Sequence, residues 1–518
     1  MTATAFTGGR VWTAGFSTSR ALDVLVEDGR IVDVSRAGDL DARGAECVAL
    51  DGALLIPGFQ DAHVHPGMAG LDLERCSLLG LDRREDIEAE IARYAAAGPE
   101  LEWITGGGWL QRAFGEPPTR ELLDRLVGGR KAALHAHSRH SVWASTAALE
   151  AAGITADTPD PQHGRIERDA DGRPSGMLHE AAMHLVTGII PPADLAARTS
   201  ALRRAEGELL ALGITSIQDA LVGTGLGSPD FHAAYAELLV EGSLRQRVTA
   251  ALWWDAGRGV EQIAEIIDRR NALERVAGAD VIRADTVKIM VDGAGVIMMD
   301  RDALMAATDA LVGAGFSAHY HSYGEASTRN VLDAIEHAGR AHPERRPRHH
   351  IAHLMVIADD DFRRFAELDV TANIQGFWGD RPVLHEMLQP SRLTHDPHRR
   401  EYAFGRLVGA GARLAAGSDW PVSSADPLDA VRVVTSRLTR DGDERPDELD
   451  RLDVSAILEA YTAGSAHVNG RSSTTGRIAP GFLADVIVLD RDILTDPLSA
   501  EDARVTQTWI AGKRVIPQ

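Results

Sequence analysis

Two histidines separated by one residue follow an extended stretch near the start of the chain. The segment IPGFQDAHVHPG, residues 56–67, contains His63 and His65. Side chains in a strand alternate between faces, so both imidazoles would point the same way. One interpretation is a surface strand with two solvated histidines. The other is half of a metal site, because neutral imidazole is the commonest ligand of zinc and similar ions.

Further residues of metal-binding type occur in or directly after short apolar segments. They are Lys288 in VKIMVDG, His319 and His321 in FSAHYH, His353 in HIAHL and Asp419 in AAGSDWPV. Each alone has an ordinary explanation, such as a lysine stem that reaches water, a core histidine or a helix N-cap. In a closed barrel, however, the C-terminal ends of all strands meet at one face, where the active sites of such barrels lie. The joint occurrence therefore predicts one shared site.

The middle of the chain alternates apolar strands with helical stretches such as 196–212 and 325–340, a pattern typical of a parallel α/β sheet or barrel. Eight strands are predicted, the number that closes a (β/α)8 TIM-like barrel. They cover 59–65, 214–219, 247–254, 285–291, 316–321, 349–354, 370–375 and 412–418.

The two ends of the chain both contain hairpin patterns, for example ALDVLVEDGRIVDVS at 21–35 and TQTWIAGKRVI at 506–516. Isolated hairpins are marginally stable in water, so the two ends are expected to form one small β-sandwich. The predicted organisation is a composite sandwich of 1–57 and 470–518, a barrel domain of 58–469, and an α+β subdomain of 66–195 inserted after the first barrel strand.

Composition restricts the partners and the compartment. The 518 residues include 54 Lys and Arg against 76 Asp and Glu, a formal charge of −22, whereas nucleic acid and anionic membranes require a basic face. We expect a small-molecule substrate, no nucleic-acid or membrane partner, and a homodimer as the candidate assembly. Cys47 and Cys76 are the two cysteines, and neither a secretory signal nor a membrane-spanning apolar run is evident, so a cytoplasmic location is expected.

The segments PGFQDAHVH, VKIMVDG, HYHSYGEA, HIAHL and AAGSDWPVSS resemble the metal-dependent amidohydrolase superfamily, in particular the branch that contains the N-substituted formamide deformylases. The resemblance extends over nearly the whole chain and implies a (β/α)8 barrel flanked by a sandwich. It implies one or two divalent metal ions, with zinc the expected metal. The implied ligands are His63 and His65 for the more buried metal, Lys288 as a carboxylated bridging lysine, His321 and His353 for the second metal, and Asp419.

The resemblance also implies a mechanism. Metal ions would lower the pKa of a water molecule and polarise a carbonyl, and Asp419 would act as a general base and then as a general acid. The predicted enzyme is therefore an amidohydrolase that cleaves a non-peptide carbon–nitrogen bond, of amide, N-acyl or N-formyl type, in a small apolar or aryl substrate.

The chain departs from the family pattern at positions that bear on the substrate. HSYGE at 321–325 replaces the usual HAIGD, and Ser138 and Arg139 replace an Asp-Gly pair before His140. Tryptophans could supply aromatic walls, with core packing as the alternative interpretation. The residues expected to line the substrate site are Trp109, His140, His319, Tyr323, Trp378 and Trp420.

The connection after Lys288 is short where relatives carry a few dozen residues over the active site. Either the lid is short, or a segment is missing between residues 293 and 300. The junction of GVIM with MDRD favours a missing segment.

Two other functions remain open. One is a deaminase or a hydrolase of cyclic amides, carbamates or esters on the same scaffold, although Lys288 weighs against mononuclear deaminases. The other is a catalytically silent, metal-binding regulatory homologue, which would be expected to have lost ligands.

Overall fold

The chain forms two compact units. Unit 1 comprises Met1–Pro66 and Glu206–Gln518, and unit 2 comprises Gly67–Ala205. The computed structural model describes residues 3–515 except 138–140, 163, 278–279, 294–295, 380–400, 437–450, 496–499 and 501.

Unit 1 contains an eight-stranded parallel sheet in which each strand pairs with its neighbours in chain order. The strands are β1 (Phe59–Val64), β2 (Ile214–Val222), β3 (Arg247–Trp253), β4 (Ile282–Met290), β5 (Ser317–Ser322), β6 (His350–His353), β7 (Thr371–Ile374) and β8 (Leu414–Ala416). Helices lie between the strands, so the predicted (β/α)8 fold class is confirmed.

The barrel closes between its first and last strands through residues at the C-terminal end of β1 and just after β1 and β8. The amide of Asp419 donates to the carbonyl of His63 at 2.7 Å, and the amide of His65 donates to the carbonyl of Trp420 at 2.9 Å. This closing seam therefore holds four of the predicted site residues next to one another.

The helices of unit 1 follow the strands as expected for repeated βα units. They are His232–Glu241, Ile263–Ala277, Arg301–Gly313, Glu325–Ala341, Phe362–Glu367, Phe404–Gly409, Pro427–Ser436, Val454–Glu459 and Ser465–Val468, and Leu195–Ala211 begins in unit 2. Glu325–Ala341 shows why these segments become helices, because Val331, Ile335 and Ala338 recur on one helical face and are buried.

The terminal segments form two sheets that share one apolar core. Strands from both ends of the chain lie in the five-stranded sheet, and Phe6 packs edge-on against Trp509 with ring centroids 5.1 Å apart. The sheets are Arg30–Arg36, Leu22–Glu27, Ala3–Thr7 and Glu46–Ala49, and Arg10–Val11, Leu54–Pro57, Val486–Leu489, Val505–Ile510 and Lys513–Arg514.

A buried ion pair connects the barrel to this sandwich and predicts a large stability effect. Asp485 accepts from Arg247 Nε at 2.6 Å and Nη2 at 3.0 Å, and also from the amide of Ala511 at 2.7 Å. We expect Asp485→Ala to lower the free energy of unfolding by about 3–5 kcal/mol, because the buried guanidinium loses its carboxylate partner. Urea denaturation measures this, with Asp41→Asn at a fully exposed ion pair as the control that leaves stability unchanged.

Unit 2 is a six-stranded mixed sheet with helices. Its strands are Cys76–Ser77, Trp103–Trp109, Lys131–Ala136, Ser141–Ala144, Gly164–Arg168 and Pro174–Glu180, and its helices are Pro66–Glu74, Arg84–Ala97, Arg120–Val127, Thr146–Ala151 and His184–Thr187. Across both units, none of the helices in the described ranges is long and apolar enough to cross a membrane.

The connection after β4 is a small hairpin. Asp292–Gly293 pairs antiparallel with Val296–Ile297, so only two residues separate the paired strands. The amide of Met298 then returns to the carbonyl of Val291 at 2.9 Å. The described strands of this hairpin thus follow closely after Lys288, and a segment missing between residues 293 and 300 stays a prediction. Residues 294–295 themselves lie outside the described residues.

Candidate metal centre

His63 lies at the centre of the predicted site and is contacted on both ring nitrogens. Its Nε2 lies 3.4 Å from Nζ of Lys288 and 3.3 Å from Oδ1 of Asp419. Its Nδ1 lies 2.9 Å from Nε2 of His319. The side chain is 1% exposed, so these contacts are shielded from water.

The other predicted ligands surround the same point. Nε2 of His65 lies 3.1 Å from Oδ1 of Asp419. The ring of His353 lies 4.8 Å from that of His63 and 4.3 Å from that of His321, measured between centroids. Ligand atoms of His63, His353 and Asp419 all lie within 4.8 Å of one another. The structure thus brings together all six residues predicted as ligands.

Asp61 fixes the backbone on which this cluster stands. One of its carboxylate oxygens accepts the amide of His63 at 2.9 Å, and both oxygens accept the amide of Ser418 at 3.1 Å. The carboxylate therefore joins β1 to the segment after β8. Gly417 completes this contact, because a Cβ at that position would lie 2.5 Å from the amide nitrogen of His63.

Two predicted ligands have an uncommon backbone conformation. His353 has φ of 78° and Asp419 has φ of 58°, in the left-handed region that costs free energy for residues other than glycine. Such conformations persist where the surrounding structure enforces them, and they cluster at active sites and ligand-binding positions. The backbone conformation, together with the rotamer, therefore sets the direction of both side chains.

Burial determines the charge states in the cluster. It holds the pKa of His63, His321 and His353 well below the ordinary value, which keeps these imidazoles in the neutral form that binds metal ions. It also lowers the pKa of Lys288 to about 7, with Asp419 opposing the shift. Burial alone would raise the pKa of Asp419, but the hydrogen bond from His65 and neighbouring positive charge hold it below its usual value.

Several of these nitrogens have no partner within the part of the chain that the structure describes. Nδ1 of His65, Nε2 of His321 and both ring nitrogens of His353 are buried without a hydrogen bond. Leaving a buried polar atom unpaired costs about 1–3 kcal/mol, so such atoms call for a partner. Imidazole and carboxylate donors at this spacing fit a divalent cation such as zinc.

Aromatic side chains cover one side of the cluster. Trp378 stacks on His353 with ring centroids 4.8 Å apart and planes 10° apart, and Tyr323 stacks on His353 at 4.9 Å. Trp378 is 1% exposed, whereas Tyr323 and Trp420 are each 9% exposed. Among the predicted aromatic lining residues that the structure describes, Tyr323 and Trp420 thus keep some solvent-exposed surface beside the ligands. Trp378 mainly supports His353.

Two predicted lining residues have other surroundings, and a third lies outside the described residues. His319 has no exposed surface and contacts His63, so we reassign it as a support of that ligand. Trp109 is fully buried in the core of unit 2, where its indole donates to the carbonyl of Leu134 at 2.9 Å, so we assign it to that core. His140 lies outside the described residues.

Sequence reasoning missed three buried carboxylates near the strand ends. Besides Asp61, these are Asp292, which accepts the amides of Tyr323 and Gly324 at 3.0 and 3.1 Å, and Asp219, which accepts the hydroxyl of Tyr235 at 2.9 Å. Asp61 could have been found, because it precedes His63 by two residues in one strand and so shares its face.

The parallel (β/α)8 barrel places these buried imidazoles and the Asp419 carboxylate near the C-terminal ends of its strands, at the face where barrel enzymes have their active sites. The sequence profile of the amidohydrolase family matches residues 46–516, and the chain belongs to this family. It is therefore a metal-dependent hydrolase that acts on carbon–nitrogen bonds other than peptide bonds, as the sequence predicted.

Relatives of known sequence match over almost the entire chain. The chain is 27% identical to the N-substituted formamide deformylase of Arthrobacter pascens, over 97% of this chain and 96% of that protein. It is 26% identical to protein LONG AFTER FAR-RED 3 of Arabidopsis thaliana, over 99% of this chain and 91% of that protein. The structure of an uncharacterized metal-dependent hydrolase from Pyrococcus horikoshii OT3 superposes with a TM-score of 0.72 at 23% identity. The superposition covers 95% of this chain and 98% of that chain, which shows a shared fold.

Proposed function

We propose that this protein hydrolyses an amide of N-acyl or N-formyl type in a small apolar or aryl compound, with a centre of one or two divalent metal ions, most simply zinc. The observation that carries the proposal is the convergence of His63, His353 and Asp419 within 4.8 Å, beside buried histidine nitrogens that lack partners in the described residues. His63, His65, Lys288, His321, His353 and Asp419 would hold the ions. Bound divalent cations supply Lewis acidity to a carbonyl and to a water molecule.

Asp419 would carry the proton in this reaction. Hydrolysis of an amide requires a base that accepts a proton from the attacking water and an acid that returns it to the leaving nitrogen, since an amine anion is a very poor leaving group. Asp419 is a carboxylate with an oxygen 3.1 Å from Nε2 of His65, so it lies among the proposed ligands. It can therefore reach both a water and a leaving group bound there.

The surroundings of the cluster support an apolar or aryl substrate. Tyr323 and Trp420, each 9% exposed, place aromatic rings beside His321 and Asp419, and apolar surface binds apolar groups through desolvation. The formamide deformylase of Arthrobacter pascens acts, by its name, on N-substituted formamides, which makes formamides of apolar or aryl amines the first compounds to test.

We also propose that Lys288 is carboxylated on Nζ. An ammonium group would repel bound cations, whereas a carbamate carries one negative charge shared by two oxygens, on a side chain that is 1% exposed. The neutral amine is the form that adds CO2, and Nζ lies 3.4 Å from His63 in the ligand cluster.

Carboxylation of Lys288 predicts that metal loading depends on bicarbonate. Metal-free protein reloaded in CO2-depleted buffer is expected to recover less metal and less activity than protein reloaded with bicarbonate. Inductively coupled plasma mass spectrometry measures the metal, with Lys288→Ala as the variant that no longer responds to bicarbonate. Equal loading of the natural protein under both conditions would contradict carboxylation.

The proposed function is tested with purified protein loaded with Zn²⁺ and a panel of formamides, N-acyl amines, carbamates and cyclic amides. Release of the free amine, followed by chromatography, supports the proposal if it occurs with formamides or N-acyl amines and stops after chelation. Turnover confined to carbamates or cyclic amides would select the alternative hydrolase. Tight metal binding without turnover of any compound would select a silent homologue.

A further inference from the structure

We propose that His319 is a positioning residue that fixes the imidazole of His63 in the orientation needed to bind metal. The inference rests on the proposed metal-dependent function, since it assigns a role within the same centre. His319 stands two residues before the proposed ligand His321, on the same face of β5. His319 contacts the proposed ligand His63 but is not itself one of the proposed ligands.

The contact between the two rings is direct. Nε2 of His319 lies 2.9 Å from Nδ1 of His63, and the rings meet nearly at right angles, at 81° with centroids 4.6 Å apart. This hydrogen bond occupies Nδ1 and so directs the opposite nitrogen, Nε2, toward Lys288 and Asp419. Without it, no hydrogen bond at Nδ1 holds the ring of His63 against rotation about its side-chain bonds.

The barrel register explains how His319 reaches this place. Lys288, His319 and His350 are aligned partners on the neighbouring strands β4, β5 and β6. Aligned residues of parallel strands project on the same side of the sheet, so the three side chains form one layer inside the barrel. His63 on β1 meets this layer from across the interior.

Buried residues of the barrel interior hold His319 in place. Its ring packs on that of His350 with centroids 4.2 Å apart. Nε2 of His350 lies 2.9 Å from Oε1 of Gln218, whose amide nitrogen lies 3.2 Å from Oδ1 of Asn469. A buried polar column therefore extends from His63 into the barrel interior, which makes His319 a fixed support.

This arrangement matches a general feature of metal sites. A histidine ligand that uses one nitrogen for the metal is usually held by a hydrogen bond at the other nitrogen, and loss of that partner typically weakens metal binding or activity by about 10–100-fold. His319 supplies such a bond while having no exposed surface of its own. It can therefore act on the metal through His63, and not on the substrate.

The test compares His319→Ala, His319→Asn and His319→Gln, with His349→Gln as a matched change at a neighbouring buried histidine that bonds the amide of Ala318 instead of a ligand. Zn²⁺ affinity is measured by competition with a chromogenic chelator, and Co²⁺-loaded protein gives an absorption spectrum that reports ligand geometry. The alanine and asparagine variants are expected to bind Zn²⁺ about 10–100-fold more weakly and to change the Co²⁺ spectrum. Glutamine, which is long enough to bond Nδ1 of His63, is expected to restore most of the affinity, and KM is expected to stay unchanged.

Each outcome decides the inference. If the alanine variant does not fold by circular dichroism, the difference between asparagine and glutamine carries the test, because asparagine is too short to reach His63. Unchanged affinity and spectrum in the variants overturn the positioning role, and so does a rise in KM at unchanged metal affinity. If the natural protein binds no metal, the proposed function itself fails, and this result is visible before any variant is compared.

Discussion

Asp419→Asn is expected to lower kcat by about 10³-fold while the metal content and the unfolding temperature stay near those of the natural protein. The asparagine oxygen can still lie beside His63 and His65, which now contact Oδ1 at 3.3 and 3.1 Å. An amide, however, does not accept the proton of the attacking water at neutral pH, so the transfer to the leaving nitrogen is lost.

The measurement is amine release under saturating substrate, together with metal analysis of the same samples. Asp359→Asn serves as the control, because Asp359 is an exposed carboxylate that pairs with Arg406. Activity of Asp419→Asn within about tenfold of the natural protein would remove Asp419 from the proton-transfer role.

His63→Ala is expected to lose metal and activity together, with metal content reduced by at least about tenfold. His63 is the residue to which Lys288, His319 and Asp419 all extend, so its removal leaves these groups without a common partner. This pattern differs from that of Asp419→Asn, in which metal is retained and only turnover is lost.

His337→Ala provides the comparison for His63→Ala, because His337 is an exposed histidine on the helix Glu325–Ala341. Its metal content should equal that of the natural protein. If His63→Ala keeps its full metal content, the assignment of His63 as a ligand is refuted. If both variants lose metal equally, the loss does not originate at this cluster.

The barrel could be predicted because buried parallel strands are short, nearly continuous apolar runs with clear breaks between them. The prediction was less accurate where polar residues enter a strand. β4 begins at Ile282, three residues before the predicted start, since the segment IRAD offers little apolar signal. β2 extends to Val222, past the polar Asp219 at which the predicted strand ended.

The sequence predicts those parts of the candidate site for which residue spacing alone determines the geometry. His63 and His65 follow the two-residue period of a strand, and the remaining ligands fall near the C-terminal ends of strands. Spacing does not tell which buried histidine contacts a ligand and which lines a pocket, so it does not reveal that His319 contacts His63. Nor does spacing separate a core tryptophan from one that lines a substrate site, so it does not reveal that Trp109 belongs to the core of unit 2.

The closing seam has a consequence for the order in which this protein acquires its function. Asp61 and the amide of Ser418, joined across the seam, are 357 residues apart in the chain. Bringing such distant segments together costs loop-closure entropy before the contact forms, so we expect these contacts to form late in folding. During synthesis, the residues of β1 emerge first and must await the segment after β8. Metal-binding capacity therefore reports completion of the barrel, and in refolding experiments we expect it to appear after most secondary structure has formed.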